Sequence, residues 1–420
     1  MNNLHWIRII VRQYITIILS WIVIIFVLLE LILHNFCLHK LPLKLQVHLE
    51  GPVQRFSQYS KSEVLPKDYI AIVGDSYAHG FGPWLYDNSW SWRQPHFASQ
   101  HLLHESLNAD VISFGYPGFG NFGSAVSFIA ELRFSKNSHF WNLKTDPNLI
   151  LFYFYEGNDL VNNLHEVQHR GIIPSLLENG VKRKMIRRLI DEELDKVSHK
   201  LGLNDELASI NVFTRLLKNY TTRLTDPVDV SSQVNSKLVQ ENSDGIPHPQ
   251  NPVEDPQNVI KLLDKTNIKL QNFGFAEGPA LLLEKFECDF SLMILEESLR
   301  KIKNEFPSSS VAVVYLPSAL SMYDFSSAGI TPAPIEMNGK QRKSVFAPSD
   351  AIDQCEYLRE SVGAITQRLS ISLIDPYPVL KGISKTELLH GPRDPIHFNR
   401  KGYEAFSASI LKPVSSLFGQ

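Results

Sequence analysis

Four short stretches of this 420-residue chain carry side chains that can do chemistry together. Gly74-Asp75-Ser76-Tyr77-Ala78-His79-Gly80 follows an apolar run, which predicts Ser76 at the edge of a sheet. A helix starting there would turn its backbone N–H groups toward any negative charge that forms on a bound acyl group. Phe114-Gly115-Tyr116-Pro117-Gly118-Phe119-Gly120-Asn121 supplies glycines that let a backbone N–H come close to a ligand. Tyr155-Glu156-Gly157-Asn158-Asp159 sets a neutral amide donor after another apolar run. Asp394-Pro395-Ile396-His397-Phe398-Asn399 puts a carboxylate three residues before a histidine, where it can fix the tautomer and stabilise the imidazolium. A hydroxyl, an imidazole, a carboxylate and uncharged donors are the parts of nucleophilic acyl transfer.

These residues need a scaffold that brings distant segments to one edge. The apolar runs Tyr69–Val73, Val111–Phe114, Leu149–Tyr155, Val311–Leu316 and Ile371–Ile374 read as buried strands. Helical patterns separate them at Trp90–Leu107, Gly123–Arg133, Phe290–Phe306 and Ala351–Leu369. Strands alternating with helices predict an α/β fold with a mostly parallel, five-stranded sheet covered on both faces. Such sheets take ligands beyond the carboxyl ends of their strands. A long interruption, residues 161–289, reads as a charged helix followed by a polar, proline-bearing surface stretch (Pro227, Pro247, Pro249, Pro252, Pro256).

Tyr14 to Leu33 supplies the length of apolar helix that a bilayer needs, with Glu30 as its one charge. No small-residue cleavage site follows it, so it reads as a retained transmembrane anchor rather than a cleaved signal. Arg8 and Arg12 before it nearly balance Lys40 and Lys44 after it. The favoured topology keeps residues 1–13 as a cytoplasmic flank and the large domain outside, on the cell membrane, with residues 34–66 as a polar connector.

In this order, the four chemical stretches resemble the four blocks of the SGNH (GDSL-type) hydrolases. Ser76 matches the nucleophile, Gly118 the second-block glycine, Asn158 the third-block asparagine, and Asp394 with His397 the last block. Gly115 is the alternative second-block glycine, and Tyr77 stands where the eponymous motif has leucine. The resemblance implies a three-layer, flavodoxin-like α/β/α domain over residues 67–415, with 161–289 as an insertion outside the motif set. It also implies a Ser76–His397–Asp394 triad, an oxyanion hole from Ser76, Gly118 and Asn158, and no cofactor or metal.

Other features are weighed against that reading. His165-Glu166-Val167-Gln168-His169 matches the H-E-x-x-H zinc pattern, with Glu192 or Glu193 as a possible further ligand. Its extended form fails, because Ile172 and Ser175 stand where glycine and histidine are needed. The cluster Lys182, Arg183, Lys184, Arg187, Arg188 precedes Asp191, Glu192, Glu193 and Asp195, which fits a solvated helix face better than a polyanion grip. His79, His96, His101 and His104 follow the nucleophile block, and Trp84, Trp90 and Trp92 have faces that could stack on a sugar. Three cysteines exclude a disulfide scaffold, and Cys288 with Cys355 is the favoured pair. With 41 basic and 44 acidic residues the chain has no footprint for nucleic acid.

The expected function is therefore a serine esterase acting on an acyl, foremost O-acetyl, ester of an extracytoplasmic carbohydrate. The alternative is an O-acyltransferase of a cell-surface polysaccharide, which would share the acyl-enzyme. The position of Asp394-x-x-His397 after the serine block favours hydrolysis. The polar insertion speaks against a lipid esterase, and the intact residue set against a non-catalytic interaction protein.

Overall fold

The computed structural model describes residues 2–41, 49–83, 96–170, 179–214, 258–264, 267–272, 276–337, 339–391 and 394–419. At its centre β1 (Tyr69–Gly74), β2 (Asp110–Gly115), β3 (Leu149–Tyr155), β4 (Ser310–Leu316) and β5 (Ser372–Ile374) form one sheet in the order β2-β1-β3-β4-β5. Every neighbouring pair is parallel. This is the doubly wound, flavodoxin-like order, whose switch point lies beside β1 and β3.

The strands are apolar on both sides because both faces are covered. Ala71, Val73, Ile112, Phe114, Ile150, Phe152, Val313 and Tyr315 pack into one core. Its cover includes helices Asn121–Asn137, Lys285–Glu305 and Pro348–Leu369. The alternate residues Ile70, Ile72, Val111, Leu149, Leu151, Tyr153 and Val314 face a second core. That core is closed by Ser99–Leu107 and Arg400–Phe418. Each fully buried aliphatic or phenylalanine side chain contributes about 1.5–3 kcal/mol. The result is the expected three-layer α/β/α fold.

Buried polar groups hold the strand ends in place. Glu156 accepts from the Ser318 N–H and hydroxyl, both at 2.7 Å, and from the hydroxyls of Ser321 and Tyr315. It thereby ties the end of β3 to the end of β4. The segment expected as a connector is built into the body. Val53, Phe56 and Val64 are in the core. Gln58 bonds both backbone groups of Ser113 at 2.7 and 2.8 Å, and Ser60 takes the Val111 N–H at 2.8 Å. It satisfies the open edge of β2, which would otherwise be free to pair with another chain.

Much of the expected insertion is also structured. Helix Asp159–Gln168 leaves the end of β3, and helix Asn179–Lys200 follows. Of the basic cluster, Arg183 and Arg187 hold the buried Glu297 at 2.9 and 2.6 Å, and Arg183 also reaches Glu296, so these two partly exposed side chains are paired with carboxylates of the fold. A hairpin, Val259–Asp264 with Asn267–Asn272, docks through Lys261 N–H to Asp324 and Leu263 N–H to Lys385, both at 2.8 Å. The polar proline-bearing stretch at 215–257 lies outside the described residues, as do Trp84, Trp90 and Trp92.

Helix α1 (Asn2–Ile32) is long and apolar enough to cross a membrane, with a mean hydropathy of 2.9 over its candidate span. From Val11 on, only its far end is buried against the body. Glu30, His34 and Leu38, at four-residue spacing on one face, are buried. Glu30 accepts from the Ser209 N–H at 2.9 Å and from its hydroxyl, and the His34 ring lies 4.1 Å from that of Trp141.

The favoured Cys288–Cys355 pairing does not form, since both thiols are free. The Gln354 amide donates to Cys288 Sγ at 3.7 Å. Successive residues on a helix are turned by about 100°, so with Gln354 facing Cys288 its neighbour Cys355 points elsewhere. There Cys355 meets the Tyr315 hydroxyl at 3.8 Å. Burial pushes the Cys288 thiol up to about 12. Denatured, unreduced protein should therefore titrate three thiols per chain, while the folded form hides Cys288 and Cys355; a count of one in the denatured state would restore the bridge.

Candidate active site

The site assembles at the carboxyl ends of β1, β2 and β3. Beyond β1, Asp75 caps a single helical turn, Ser76–His79, by accepting the Tyr77 N–H at 2.9 Å. This holds Ser76 at the strand's end. His397 comes from the far end of the chain. Asp394 Oδ1 takes the N–H groups of Ile396 and His397 at 3.1 and 3.0 Å, which folds the loop back on itself. Just past it, the fully buried Phe398 plugs the second core, and Asn399 caps helix Arg400–Phe418 through the Gly402 N–H at 3.0 Å. The histidine is thus pinned from both sides.

Those two anchorages bring the predicted side chains into line. Asp394 Oδ2 lies 2.7 Å from His397 Nδ1, and His397 Nε2 lies 2.8 Å from Ser76 Oγ. A carboxylate only accepts, so the proton sits on Nδ1 and the bare Nε2 faces the serine hydroxyl. Burial disfavours the imidazolium, but the Asp394, Glu277 and Asp75 carboxylates outweigh it and raise the His397 pKa above the ordinary 6.5. Burial works against the Asp394 carboxylate, yet the charge and hydrogen bonds of His397 hold it below 3.8. Such a line can pass a proton from hydroxyl to imidazole and leave a nucleophilic oxygen.

The two glycines of the second block do different things. A Cβ on Gly115 would sit 2.1 Å from the His79 backbone nitrogen, so this glycine permits the close packing of β2 on the serine turn. Gly118 has φ +79° and nothing within 4 Å of where its Cβ would be. It lies in a loop facing open space. Asn158 stands at the end of β3, with its Nδ2 donating to Glu277 Oε1 at 3.4 Å.

The zinc-like motif is occupied otherwise. Glu166 takes the N–H groups of Gly120 and Gly123, both at 3.0 Å, and so caps helix Asn121–Asn137 and braces the Gly118 loop. His165 Nε2 donates to the Glu336 carbonyl at 2.6 Å. Among the described residues no three histidine, cysteine or carboxylate side chains converge as a metal site would require. His101 is buried and His79 half-buried, and desolvation lowers them to about 3 and about 4 respectively. His79 lies with Nδ1 3.4 Å from the Gly115 carbonyl oxygen. Neither joins the serine–histidine line.

Two contributors escape sequence reasoning. Tyr77, the departure from the motif leucine, donates its hydroxyl to the Ile396 carbonyl and packs its ring 5.3 Å from that of His397. It welds the serine block to the histidine block. Glu277 comes from the end of the insertion. Burial pushes its carboxyl up to about 7 despite the nearby His397, and among the described residues its Oε2 has no hydrogen-bond partner. A glutamate next to Gly278 in a polar insertion carries no motif that would have marked it.

No protein-family model matches the chain, and no curated protein is significantly similar to it in sequence. Two solved structures are similar in shape over 84% of the chain. One, a carbohydrate acetylesterase family member from Sinorhizobium meliloti, is 11% identical, with a TM-score of 0.32 and all of its own length covered. The other, a family two carbohydrate esterase from Cellvibrio japonicus, is 9% identical, with a TM-score of 0.33 and 62% of its length covered. The chemistry of this chain is argued from its own geometry.

Because Glu277 is one of three carboxylates that raise His397, Glu277→Gln should move the imidazole titration to lower pH. An NMR titration of the His397 ring reads this directly, and an unmoved midpoint would remove Glu277 from its surroundings.

Proposed function

We propose that the chain is a membrane-anchored serine esterase of the SGNH type that removes an acyl group, foremost O-acetyl, from an extracytoplasmic carbohydrate. The observation that carries the reading is the unbroken Asp394–His397–Ser76 line at 2.7 and 2.8 Å. His397 takes the Ser76 proton as Oγ attacks the ester carbonyl. Asp394 holds the imidazolium that results. The oxyanion is received by the N–H groups of Ser76 and Gly118 and by the Asn158 amide, which Glu277 orients. The intermediate collapses as the bond to the sugar oxygen breaks and His397 protonates that oxygen, which leaves as a hydroxyl. A water molecule, deprotonated by the same imidazole, then releases the acid from Ser76.

The domain is residues 67–415, with 161–289 inserted, 34–66 leading in, 14–33 as the anchor and 1–13 as a cytoplasmic flank. The seal of Glu30 and His34 into the body supports retention of the helix, since removing it would strip partners from Ser209 and Trp141. The polysaccharide acyltransferase alternative needs only a sugar hydroxyl in place of water at the second step.

Acetate release from O-acetylated glycans and 4-nitrophenyl esters, with and without a sugar acceptor, tests the proposal. Ser76→Ala should abolish both turnover and labelling by a serine-directed phosphonate; labelling at another serine would remove it as nucleophile. Asn158→Ala loses one oxyanion donor, worth about 3–4 kcal/mol, so kcat should fall roughly 100- to 1,000-fold with KM nearly unchanged. The imidazole must be neutral to act, and its pKa lies above 6.5, so activity should decline as pH falls through a midpoint above 6.5. A flat profile down to pH 5 would exclude His397 as the base.

A further inference from the structure

The anchor and the candidate site sit at opposite ends of the same sheet. Ser76, Gly118 and Asn158 all follow the carboxyl ends of β1, β2 and β3. The end of α1 meets the other pole. Its partners Phe140 and Trp141 lie in the connection from helix Asn121–Asn137 to the amino end of β3. That connection is braced by the insertion: Trp141 Nε1 donates to the Asp205 carbonyl at 2.7 Å, and Glu206 accepts from Ser138 and His139 at 3.0 Å. Ala208 and Ser209 next in the chain hold His34 and Glu30. On the same side, the Tyr59 hydroxyl reaches the Lys40 carbonyl at 3.2 Å, next to where Ser60 and Ser62 bind the first residues of β2.

The junction is packed rather than exposed. α1 continues through Leu33–Cys37 and Leu38–Lys40 without an extended linker, and its buried residues recur on one face. A carboxylate at the edge of an apolar span is costly in lipid, and here Glu30 is enclosed by protein. Phe213, four residues past Ser209 on the helical stretch 208–214, and Phe36 are each about two-thirds exposed, at 65% and 67%. Both lie beside the end of the span, where a bilayer would cover them.

We propose that this joint fixes the domain on the bilayer by its amino-end pole. The candidate active site then opens away from the membrane, roughly 20 Å of strand farther out, and takes acyl esters of water-borne glycans rather than of bilayer lipids. The inference deepens the esterase reading and rests on it for the substrate, but the orientation stands on geometry alone. A site at the distal pole is out of reach of an ester buried among lipid tails. It is open to a polymer or oligosaccharide in the aqueous space.

The test uses the full chain in nanodiscs, in a Cys37→Ser background that leaves only the two buried cysteines. A dye is placed at Lys401→Cys, exposed and four residues past His397, or at Lys67→Cys, exposed before β1. Energy transfer to headgroup acceptors reads each height. The Lys401 dye should stand roughly 20 Å farther from the bilayer than the Lys67 dye. Equal or inverted heights overturn the orientation, whatever the enzyme does. Glu30→Ala with His34→Ala should blur the difference, and an unchanged one would show that the joint does not set it. Phosphonate labelling of Ser76 is scored on the same discs, and its absence sinks the esterase reading while leaving the heights to decide the rest. Given labelling, a soluble O-acetylated oligosaccharide should be turned over at least tenfold faster than an acyl ester embedded in the disc; the reverse preference overturns the substrate assignment.

Discussion

The candidate site depends on keeping an imidazole basic inside a protein. Burial alone would push His397 toward a permanently neutral, weakly basic state, as it does for His79, His101 and His390, which fall to about 4, about 3 and about 3. His397 departs from them because carboxylates surround it. Asp394 is in direct contact, and Glu277 and Asp75 act through space. Buried charges are tolerated only where they are compensated. Here the compensation is mutual, since His397 also holds Asp394 down. The serine hydroxyl stands at the one nitrogen that this arrangement leaves unprotonated.

Holding that arrangement requires four loops to stay where the strands deliver them, and buried polar side chains do this work. Asp159 accepts from the Tyr155 N–H at 2.9 Å and the Asn121 amide at 2.8 Å, joining the ends of β2 and β3. Asn163 extends the network to the Phe122 N–H and the Ser291 hydroxyl, both at 3.1 Å. Glu166 closes the Gly118 loop, and Tyr77 ties the serine turn to the histidine loop. Each such group is expensive to leave unpaired in a low-dielectric interior, which makes the network specify one geometry rather than several. The residues that resemble a zinc motif belong to this scaffolding.

The same economy governs the other pole of the molecule. An apolar helix with one carboxylate has a place for that charge only against protein, and Ser209 provides it. The end of the anchor is thereby packed against the body through Glu30, His34 and Leu38. In the proposed enzyme this would turn Ser76 and His397 outward and leave the amino ends of the strands toward the membrane.

The sequence by itself determined the strands, the layers and the apolar helix, because these follow from local patterns: unbroken apolar runs, their alternation with helices, and a charge-poor stretch of bilayer length. It also marked Ser76, Gly118, Asn158, Asp394 and His397, whose types and order are legible without coordinates. Only the tertiary structure decided that a five-residue zinc-like pattern is a helix cap, that Cys288 and Cys355 face apart, that residues 49–66 seal a sheet edge, and that Glu277 reaches His397 from an insertion. The reason is the range of the interaction. Periodicity and capping are written over a few neighbouring residues, whereas Glu277 meets His397, and Glu30 meets Ser209, across more than a hundred residues with no shared local pattern. Hydrogen bonding and desolvation act on what is adjacent in space, and that adjacency exists only once the sheet has formed.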